Sequence, residues 1–224
     1  MNALYEVERS PIAKSTTASY QTFGLGKQFL KDIDIDIDAE KQIQQCAIVD
    51  LTNLSRVGFR GQDAADYLTS YGFQLPEQPN QALLQEDGCW VARLSFTEYC
   101  VLGSLHDFGE RVSQLEQGWT MDERANYLLP RQDSHAWIQL TGQHVALVMA
   151  KLCGVDLQQQ AFTVGQVVQT SVARINTIVI NVSDAQTQKF NLLCDRAAAL
   201  YLWDVLIDAI DEFDGHVACI EAIL

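Results

Sequence analysis

The sequence predicts an α+β protein folded as two duplicated halves. The Gly-Gln pair at residues 61–62 recurs 81 positions later at residues 142–143, and the run VARL at residues 91–94 recurs at the same offset as VARI at residues 172–175. The predicted elements follow one order in both halves: strand, turn, helix, strand, strand and helix. A repeated order together with a repeated offset favours internal duplication, and a sheet covered by helices is the α+β arrangement.

The first half shows strands, turns and helices by the period of its apolar residues. Apolar side chains recur every three residues after Gly61, and Gly72 ends that helical pattern. The predicted elements are strands at residues 46–51 and 56–61, a helix at 62–71, a loop at 74–82, a hairpin of strands at 90–94 and 98–103, and a helix at 106–117.

The second half repeats this order from a strand that ends at a glycine turn. Its predicted elements are a strand at residues 136–140, a turn at Gly142, a helix at 143–152, strands at 165–175, 177–182 and 190–194, and a long helix from about 196 to 213. The long helix is apolar almost all round, which predicts wide burial. Its polar stripe of Asp204, Asp208 and Asp211 is either a solvated face or a contact face for a basic partner.

An acidic strand is predicted before the first half. Residues 32–38 alternate Asp and Ile, so that the four aspartates share one face. The opening D-x-D-x-D is typical of a calcium loop, but the sixth position is Ile37 instead of Gly and the twelfth is Ile43 instead of Glu. We interpret the segment either as a solvated edge strand, whose charges prevent stray pairing, or as a docking strip for a basic partner.

These segments divide the chain into three predicted regions. Residues 1–45 form an N-terminal extension with the acidic strand, residues 46–127 the first half and residues 128–224 the second half. A chain of 224 residues has room for one large domain or two compact subdomains.

Composition and charge exclude several classes of function. The formal net charge of −14 argues against binding to nucleic acid and to anionic membranes. No apolar stretch reaches the ~20 residues of a membrane-spanning helix, and the polar N-terminus lacks the apolar core of a signal peptide. We therefore expect a cytoplasmic protein. The six cysteines form no C-x-x-C pair and fall mostly in apolar runs, so free thiols and no metal site are expected.

No catalytic centre is visible in the sequence. Ser134 and His135 have suitable side chains, but neighbours along a strand point to opposite faces, so we expect no relay between them. The run Gly-Leu-Gly-Lys at residues 24–27 lacks the frame of a phosphate-binding loop, and no G-x-G-x-x-G dinucleotide motif occurs. Glu98 and Asp107 remain a candidate carboxylate pair. These observations favour a subunit over a stand-alone enzyme.

The order and spacing of several segments resemble one known family. Residues 128–142, LLPRQDSHAWIQLTG, resemble the opening of the second half of the sarcosine oxidase gamma subunit family. The similarity covers roughly residues 46–213. Other similar segments are residues 56–61, 93–99, 151–157, 161–162, 165–170, 172–174, 190–194 and 201–203. That family is related in fold to the glycine-cleavage T-protein, an aminomethyltransferase, and to its folate-binding relatives.

The resemblance implies a non-catalytic gamma-type subunit of a heterotetrameric sarcosine-oxidase-like complex. Such complexes oxidatively demethylate N-methyl amino acids and transfer the one-carbon unit to tetrahydrofolate. In the family, flavins, NAD and folate belong to other subunits, and the gamma subunit packs against a large alpha-type flavoprotein subunit. The resemblance therefore supplies no catalytic residue, no metal ligand and no cofactor for this chain, and any cofactor-binding residues are unknown.

The alternative is a stand-alone aminomethyltransferase-like protein that binds tetrahydrofolate. The chain has no room for the third domain of the T-protein and lacks the K-G-C-Y-x-G-Q-E motif of the folate-binding iron–sulfur repair relatives, which favours the subunit. A deep pocket lined by aromatic residues and arginine would favour the alternative. Arg93 and Arg174, which share the repeat offset inside apolar strands, need a carboxylate or carbonyl partner there, or contact an anion or a pterin tail.

Overall fold

The computed structural model describes residues 10–14, 19–24, 26–31 and 39–224. The predicted acidic strand, residues 32–38, lies outside the described residues, so both interpretations of it remain predictions. None of the helices in the described part is long and apolar enough to cross a bilayer.

Strands and short helices alternate along the described chain. The strands are β1 Tyr20–Phe23, β2 Lys27–Leu30, β3 Ala47–Asp50, β4 Arg56–Arg60, β5 Gln81–Leu84, β6 Trp90–Ser95, β7 Glu98–Leu102, β8 Tyr127–Leu129, β9 His135–Thr141, β10 Val167–Val172, β11 Ile175–Asn181, β12 Lys189–Asp195 and β13 His216–Val217. The α-helices are α1 Ala39–Gln45, α2 Ala64–Ser70, α3 Glu110–Gln117, α4 Arg131–Ser134, α5 Val145–Leu152 and α6 Ala199–Asp211. Short 3-10 helices are Pro11–Lys14, Arg196–Ala198 and Ile220–Ile223.

Two larger sheets have matching strand orders. The first is β5-β6-β7-β4-β8, and the second is β10-β11-β12-β9-β3 with β13 added at its end. Each half lends one strand to the other, because β3 leads into β4 but pairs with β9, whereas β8 leads into β9 but pairs with β4. The predicted duplication is therefore present in the topology, and the exchanged strands interlock its two halves.

The glycine turns occupy equivalent places, as the offset predicts. Gly61 follows β4 with φ +146°, and Gly142 follows β9 with φ +116°. A Cβ at Gly61 would lie 1.8 Å from the carbonyl oxygen of Ala125, and one at Gly142 would lie 2.4 Å from that of Gln45. Both turns thus need glycine for backbone conformation and for close approach.

The predicted equivalence of Arg93 and Arg174 is wrong. Arg93 lies inside β6, whereas Arg174 lies with φ +69° in the turn between β10 and β11. Arg93 stands opposite Tyr99, and the matching register position in the second half is Asn181, opposite Phe190. A single offset fails here because the segments that precede these strands differ in length: residues 71–80 connect α2 to β5, whereas residues 153–166 connect α5 to β10.

The two sheets pack face to face and carry helices on their outer faces. Along β9, Ile138 and Leu140 join the core under α5 and α6, whereas Trp137 points into the core between the sheets. This alternation is the period of two of a strand. The core of the first half under α2 and α3 includes Phe59 and Val112. The molecule is therefore a four-layer arrangement of helix, sheet, sheet and helix.

The long C-terminal helix buries one side only, which is less than the wide burial predicted, because Leu200 and Tyr201 are exposed. Leu202, Leu206 and Ile210 of α6 are buried. Asp204, Asp208 and Asp211 are exposed, which agrees with the solvated-face interpretation of the stripe and leaves a partner contact as a prediction.

Candidate functional site

A cavity of about 370 Å³ opens between the two sheets. Leu51 and Leu54, from the loop after β3, provide part of its apolar wall. Trp90 at the start of β6 and Trp137 on β9 provide its aromatic surface. Both halves thus contribute to this cavity, whose size is in the range of small-molecule sites.

Trp137 places an unsatisfied donor in this region. Its side chain is 3% exposed, and its Nε1 has no hydrogen-bond partner in the described structure. An indole N–H can only donate, and a buried donor left unpaired costs about 1–3 kcal/mol. An acceptor that reached Nε1, such as a carbonyl oxygen or a ring nitrogen, would remove that cost, but the atom itself is closed to solvent in this structure.

Two buried amides line the same cavity. Gln139 on β9 and Asn191 on β12 stand opposite each other, and Gln139 Nε2 donates to Asn191 Oδ1 at 2.9 Å. This bond leaves the Gln139 carbonyl oxygen and the Asn191 amide nitrogen available to a ligand. The sequence analysis missed Trp137, Gln139 and Asn191 as site residues. One signal in the sequence could have indicated this site: position 139 places a polar side chain in an otherwise apolar strand.

Charge at this cavity is nearly balanced. Lys189 Nζ donates to Asp184 Oδ2 at 2.6 Å, and both residues line the cavity. Burial raises the pKa of Asp184, but the hydrogen bonds from Lys189 and from two backbone amides outweigh it, so the pKa is lowered overall. The lining residues include two tryptophans and no arginine. The cavity therefore has the aromatic lining expected of a folate-binding pocket but lacks the expected arginine.

Ser134 and His135 are in direct contact, contrary to the expectation from the sequence. Ser134 Oγ lies 2.8 Å from His135 Nδ1. The expectation failed because Ser134 is the last residue of helix α4 and not a strand residue, so the alternation of a strand does not separate the two side chains.

The hydrogen bonds of this pair oppose a catalytic role. Arg131 Nη1 lies 3.2 Å from His135 Nε2, and because an arginine can only donate, that ring nitrogen accepts. The imidazole proton is then on Nδ1 and is donated to Ser134, whose hydroxyl donates to the Pro130 carbonyl at 3.1 Å. Burial, together with Arg131 and Arg56, lowers the pKa of His135 to about 4. His135 therefore has no free lone pair with which to deprotonate Ser134.

The candidate carboxylates Glu98 and Asp107 have separate roles. Glu98 begins β7 and pairs with Arg60 at 3.1 Å and with Arg131. Asp107 lies beyond the other end of β7 and accepts hydrogen bonds from Gly109 N at 2.8 Å and Arg111 N at 2.9 Å. The structure therefore does not bring the two carboxylates together as an acid–base pair.

Three arginines bind backbone or remain at the surface. Arg93 donates to the carbonyl oxygens of Glu77 at 2.6 Å and Phe96 at 2.9 Å, which fits the predicted structural role. Arg174 is exposed in its turn. Arg56 is fully buried, and its guanidinium donates to several carbonyl oxygens from both halves.

The remaining sequence candidates have structural explanations. All six cysteines are buried and form no disulfide, and burial raises the pKa of Cys46 to about 11 and that of Cys89 to about 12. No group of three His, Cys, Asp or Glu residues in the described ranges is arranged to hold a metal. Gly24 and Gly26 lie in the turn between β1 and β2, and Lys27 Nζ contacts Ser55 Oγ, so this run is a hairpin turn.

Comparison with known proteins agrees with the observed fold. No curated protein matches this sequence. A chain of heterotetrameric sarcosine oxidase from Corynebacterium sp. U-96, in complex with pyrrole 2-carboxylate, matches with a TM-score of 0.62 and 20% identity, over 76% of this chain and 86% of that chain. Glycine cleavage system aminomethyltransferase T from Bartonella henselae matches with a TM-score of 0.64 and 13% identity, over 93% of this chain and 58% of that chain.

The aminomethyltransferase comparison covers only part of the longer protein. The present chain spans 58% of that enzyme, and residues 19–224 match the family model described as the GCVT N-terminal domain. The predicted α+β fold of the T-protein type is confirmed. This chain belongs to the GCVT N-terminal domain family.

Proposed function

We propose that this chain is a non-catalytic, gamma-type subunit of a heterotetrameric sarcosine-oxidase-like complex. In this proposal a large alpha-type flavoprotein subunit is its partner, and oxidative demethylation of N-methyl amino acids and one-carbon transfer to tetrahydrofolate occur on other subunits. The observation that carries the proposal is the match to a chain of a heterotetrameric sarcosine oxidase over most of both chains. The proton arrangement at Ser134 and His135, which opposes nucleophilic catalysis, supports it.

Affinity purification of the tagged full chain from its native host tests this proposal. The expected result is stoichiometric recovery of a flavin-containing large subunit together with this chain, and size-exclusion chromatography should show both in one peak. Recovery of the chain alone at native expression level, from lysates prepared at low and physiological salt, would contradict the proposal.

A second candidate function is stand-alone binding of tetrahydrofolate, and the cavity between the sheets favours it. Trp90 and Trp137 supply aromatic surface, and the unpartnered Nε1 of Trp137 matches a ligand that accepts hydrogen bonds. Under the subunit proposal, calorimetric titration of the isolated chain with tetrahydrofolate gives a Kd no tighter than about 1 mM, which corresponds to about −4 kcal/mol.

Micromolar affinity that weakens in Trp137→Phe would favour the folate-binding candidate instead. That substitution removes the indole N–H and keeps an aromatic ring. Trp119→Phe, in the segment after α3 and outside the cavity lining, is the matched control and should leave any affinity unchanged.

A further inference from the structure

The helix layers of the two halves expose different kinds of residue. In the first half, the exposed residues of α2 and α3 are all polar: Asp66, Thr69, Ser70, Glu110, Gln114 and Gln117. In the second half, α5 and α6 expose three large apolar side chains, Leu147 at 47%, Leu200 at 37% and Tyr201 at 50%. Because the two layers occupy equivalent places in the duplication, the fold itself does not require apolar residues at this surface.

The repeat offset allows a direct comparison at one of these positions. Helix α2 begins at Ala64 and α5 at Val145, so these two helices keep the offset of 81. Leu147 therefore stands where the first half has the exposed Asp66. A leucine in place of a charged residue, on a surface open to solvent, is typical of a position that contacts a partner.

Hydrogen bonds place the apolar start of α6 beside the end of α5. The Tyr201 hydroxyl donates to the Ala173 carbonyl at 3.2 Å, and Ala173 N donates to the Leu152 carbonyl at 2.8 Å. Farther along α6, the exposed side continues with aspartates at helical spacing. We call this surface the α5–α6 face, and its residues are Leu147, Leu200, Tyr201, Asp204, Asp208 and Asp211.

The aspartates of this face weaken the helix that carries them. The carbonyl end of a helix is negative, so Asp208 and Asp211 lie at its unfavourable end, and the last turn carries no basic residue. Lys151 of α5 is close, but it already pairs with Glu212. None of the aspartates of the face forms an ion pair with any described residue. The stability of the chain alone therefore does not account for the acidic stripe.

Charge decides which partner fits this face. A second copy of the chain would bring two acidic stripes together in a symmetric contact, and each copy carries a net charge of −14. The same repulsion opposes nucleic acid and anionic membranes. A protein surface that combines apolar side chains with lysine and arginine complements both parts of the face and relieves the repulsion along α6.

We infer that the α5–α6 face binds an apolar surface flanked by lysine and arginine on another subunit of the complex. The inference rests on the proposed subunit role and specifies where the chain docks. The apolar side chains of the partner meet Leu147, Leu200 and Tyr201. Its basic side chains meet the aspartates in the later turns of α6, so the face also fixes the orientation of the partner.

Affinity purification of the tagged full chain from its native host tests the acidic part of the face. Asp204→Lys combined with Asp208→Lys should lower the recovery of partner subunits at least about tenfold at physiological salt. Because these lysines lie toward the C-terminal end of α6, urea unfolding should show no loss of stability. Glu86→Lys combined with Glu123→Lys, two exposed positions of the first half, is the control matched in charge and should leave recovery unchanged.

A second pair of variants tests the apolar part. Leu147→Ser combined with Leu200→Ser should lower recovery at least about tenfold at both low and high salt, because salt does not screen apolar contacts. Phe96→Ser combined with Met121→Ser removes two exposed apolar side chains from the first half and should leave recovery unchanged.

The outcomes separate this inference from the proposed function. Equal recovery of partner subunits by the native chain and by both variants of the α5–α6 face would overturn the inference and leave the subunit role intact. Recovery of no partner by the native chain would overturn both. In sedimentation velocity, a dimer of the isolated chain that dissociates in the Leu147→Ser and Leu200→Ser variant would assign the face to a second copy and would likewise overturn the inference.

Discussion

His135 is an imidazole that the fold keeps neutral. It accepts from Arg131 and contacts Ser134, and burial with two nearby guanidinium groups lowers its pKa to about 4. In the unfolded chain its pKa is near 6.5. Between these two values the unfolded state therefore binds more protons than the folded state, so folding stability depends on pH in that window.

Acidification should therefore destabilise the protein through His135. The contribution of His135 to stability is fully present above about pH 6.5 and is lost as the pH falls toward 4. As the pH falls from 7 to 5, the loss of this contribution should lower the free energy of unfolding by at most about 2 kcal/mol, because solvent reaches part of the ring and screens the effect. Urea unfolding of the native protein and of His135→Gln measures it, because the difference between their pH profiles isolates this residue. An exposed histidine, as in His106→Gln, serves as control, and parallel profiles for native protein and His135→Gln would refute the prediction.

The buried cysteine thiols should react slowly while the protein is folded. All six cysteines are buried, and burial raises the pKa values of Cys46, Cys100 and Cys194 to about 11. Because the thiolate is the reactive form, disulfide exchange reagents should label the folded protein slowly. After denaturation without reductant, six thiols should react. Detection of four or fewer, in material prepared from reduced cells, would show that a disulfide exists.

At the scale of elements, two glycine turns connect each leading strand to its helix. Gly142 N donates to the Gln188 carbonyl at 2.9 Å and Gly61 N to the Thr97 carbonyl at 2.9 Å, so each turn also anchors the loop before the neighbouring strand. A side chain at either position would collide with backbone of the segment that crosses the turn. Backbone cannot yield as a flexible side chain can, so these turns are fixed points of the fold.

Gly142→Ala should therefore destabilise the protein strongly. The substitution combines φ +116° with a Cβ contact of 2.4 Å to the Gln45 carbonyl oxygen. We expect the free energy of unfolding to fall by at least about 2 kcal/mol. Gly154→Ala, where a Cβ would meet nothing within 4 Å, is the matched control and should change it by less than about 0.5 kcal/mol. Equal stabilities in urea unfolding would show that the turn relaxes.

The sequence predicts elements whose pattern is local and misses those that depend on distant partners. The hairpin β6–β7 and the helices α2, α5 and α6 follow from apolar period and glycine positions. Strands β8 and β13 have three and two residues, and pairing with β4 and β3 defines them. The cavity between the sheets escaped prediction for the same reason, since Trp90 and Trp137 lie in different halves.

At the scale of the whole molecule, Arg56 joins the two halves. Its guanidinium donates to Thr52 and Leu54 carbonyls at 2.8 and 2.9 Å, and it also reaches the carbonyls of Gln132 and His135 in the connection to the second half. The residue is fully buried at the point where the two exchanged strands leave their own halves. One cation thus satisfies backbone acceptors from both halves.

Arg56→Met should consequently weaken the whole fold. Methionine keeps an unbranched apolar stem but removes the guanidinium donor from the Leu54 and His135 carbonyl oxygens, and each lost donor costs about 1–3 kcal/mol. The Thr52 and Gln132 carbonyl oxygens still accept from Gln132 Nε2 and Arg196 Nη1. We expect a loss of at least about 3 kcal/mol in the free energy of unfolding, seen as a lower urea midpoint for both halves together. Arg174→Met, at an exposed turn, is the matched control and should change stability by less than about 0.5 kcal/mol. A similar small change at Arg56 would contradict its joining role.

If the chain has the proposed subunit role, it should have no oxidase activity when isolated. Oxidation of an N-methyl amine requires a hydride acceptor, and protein side chains supply none, so a flavin or nicotinamide must be bound by some subunit. The chain has no G-x-G-x-x-G motif, and at Ser134 and His135 the proton lies on the wrong nitrogen for base catalysis. We expect the purified chain to show no flavin absorbance and no oxidation of N-methylglycine with added flavin or NAD. The complex purified through the same tag should show both. Turnover by the isolated chain at a rate comparable to that of the complex would refute the subunit role.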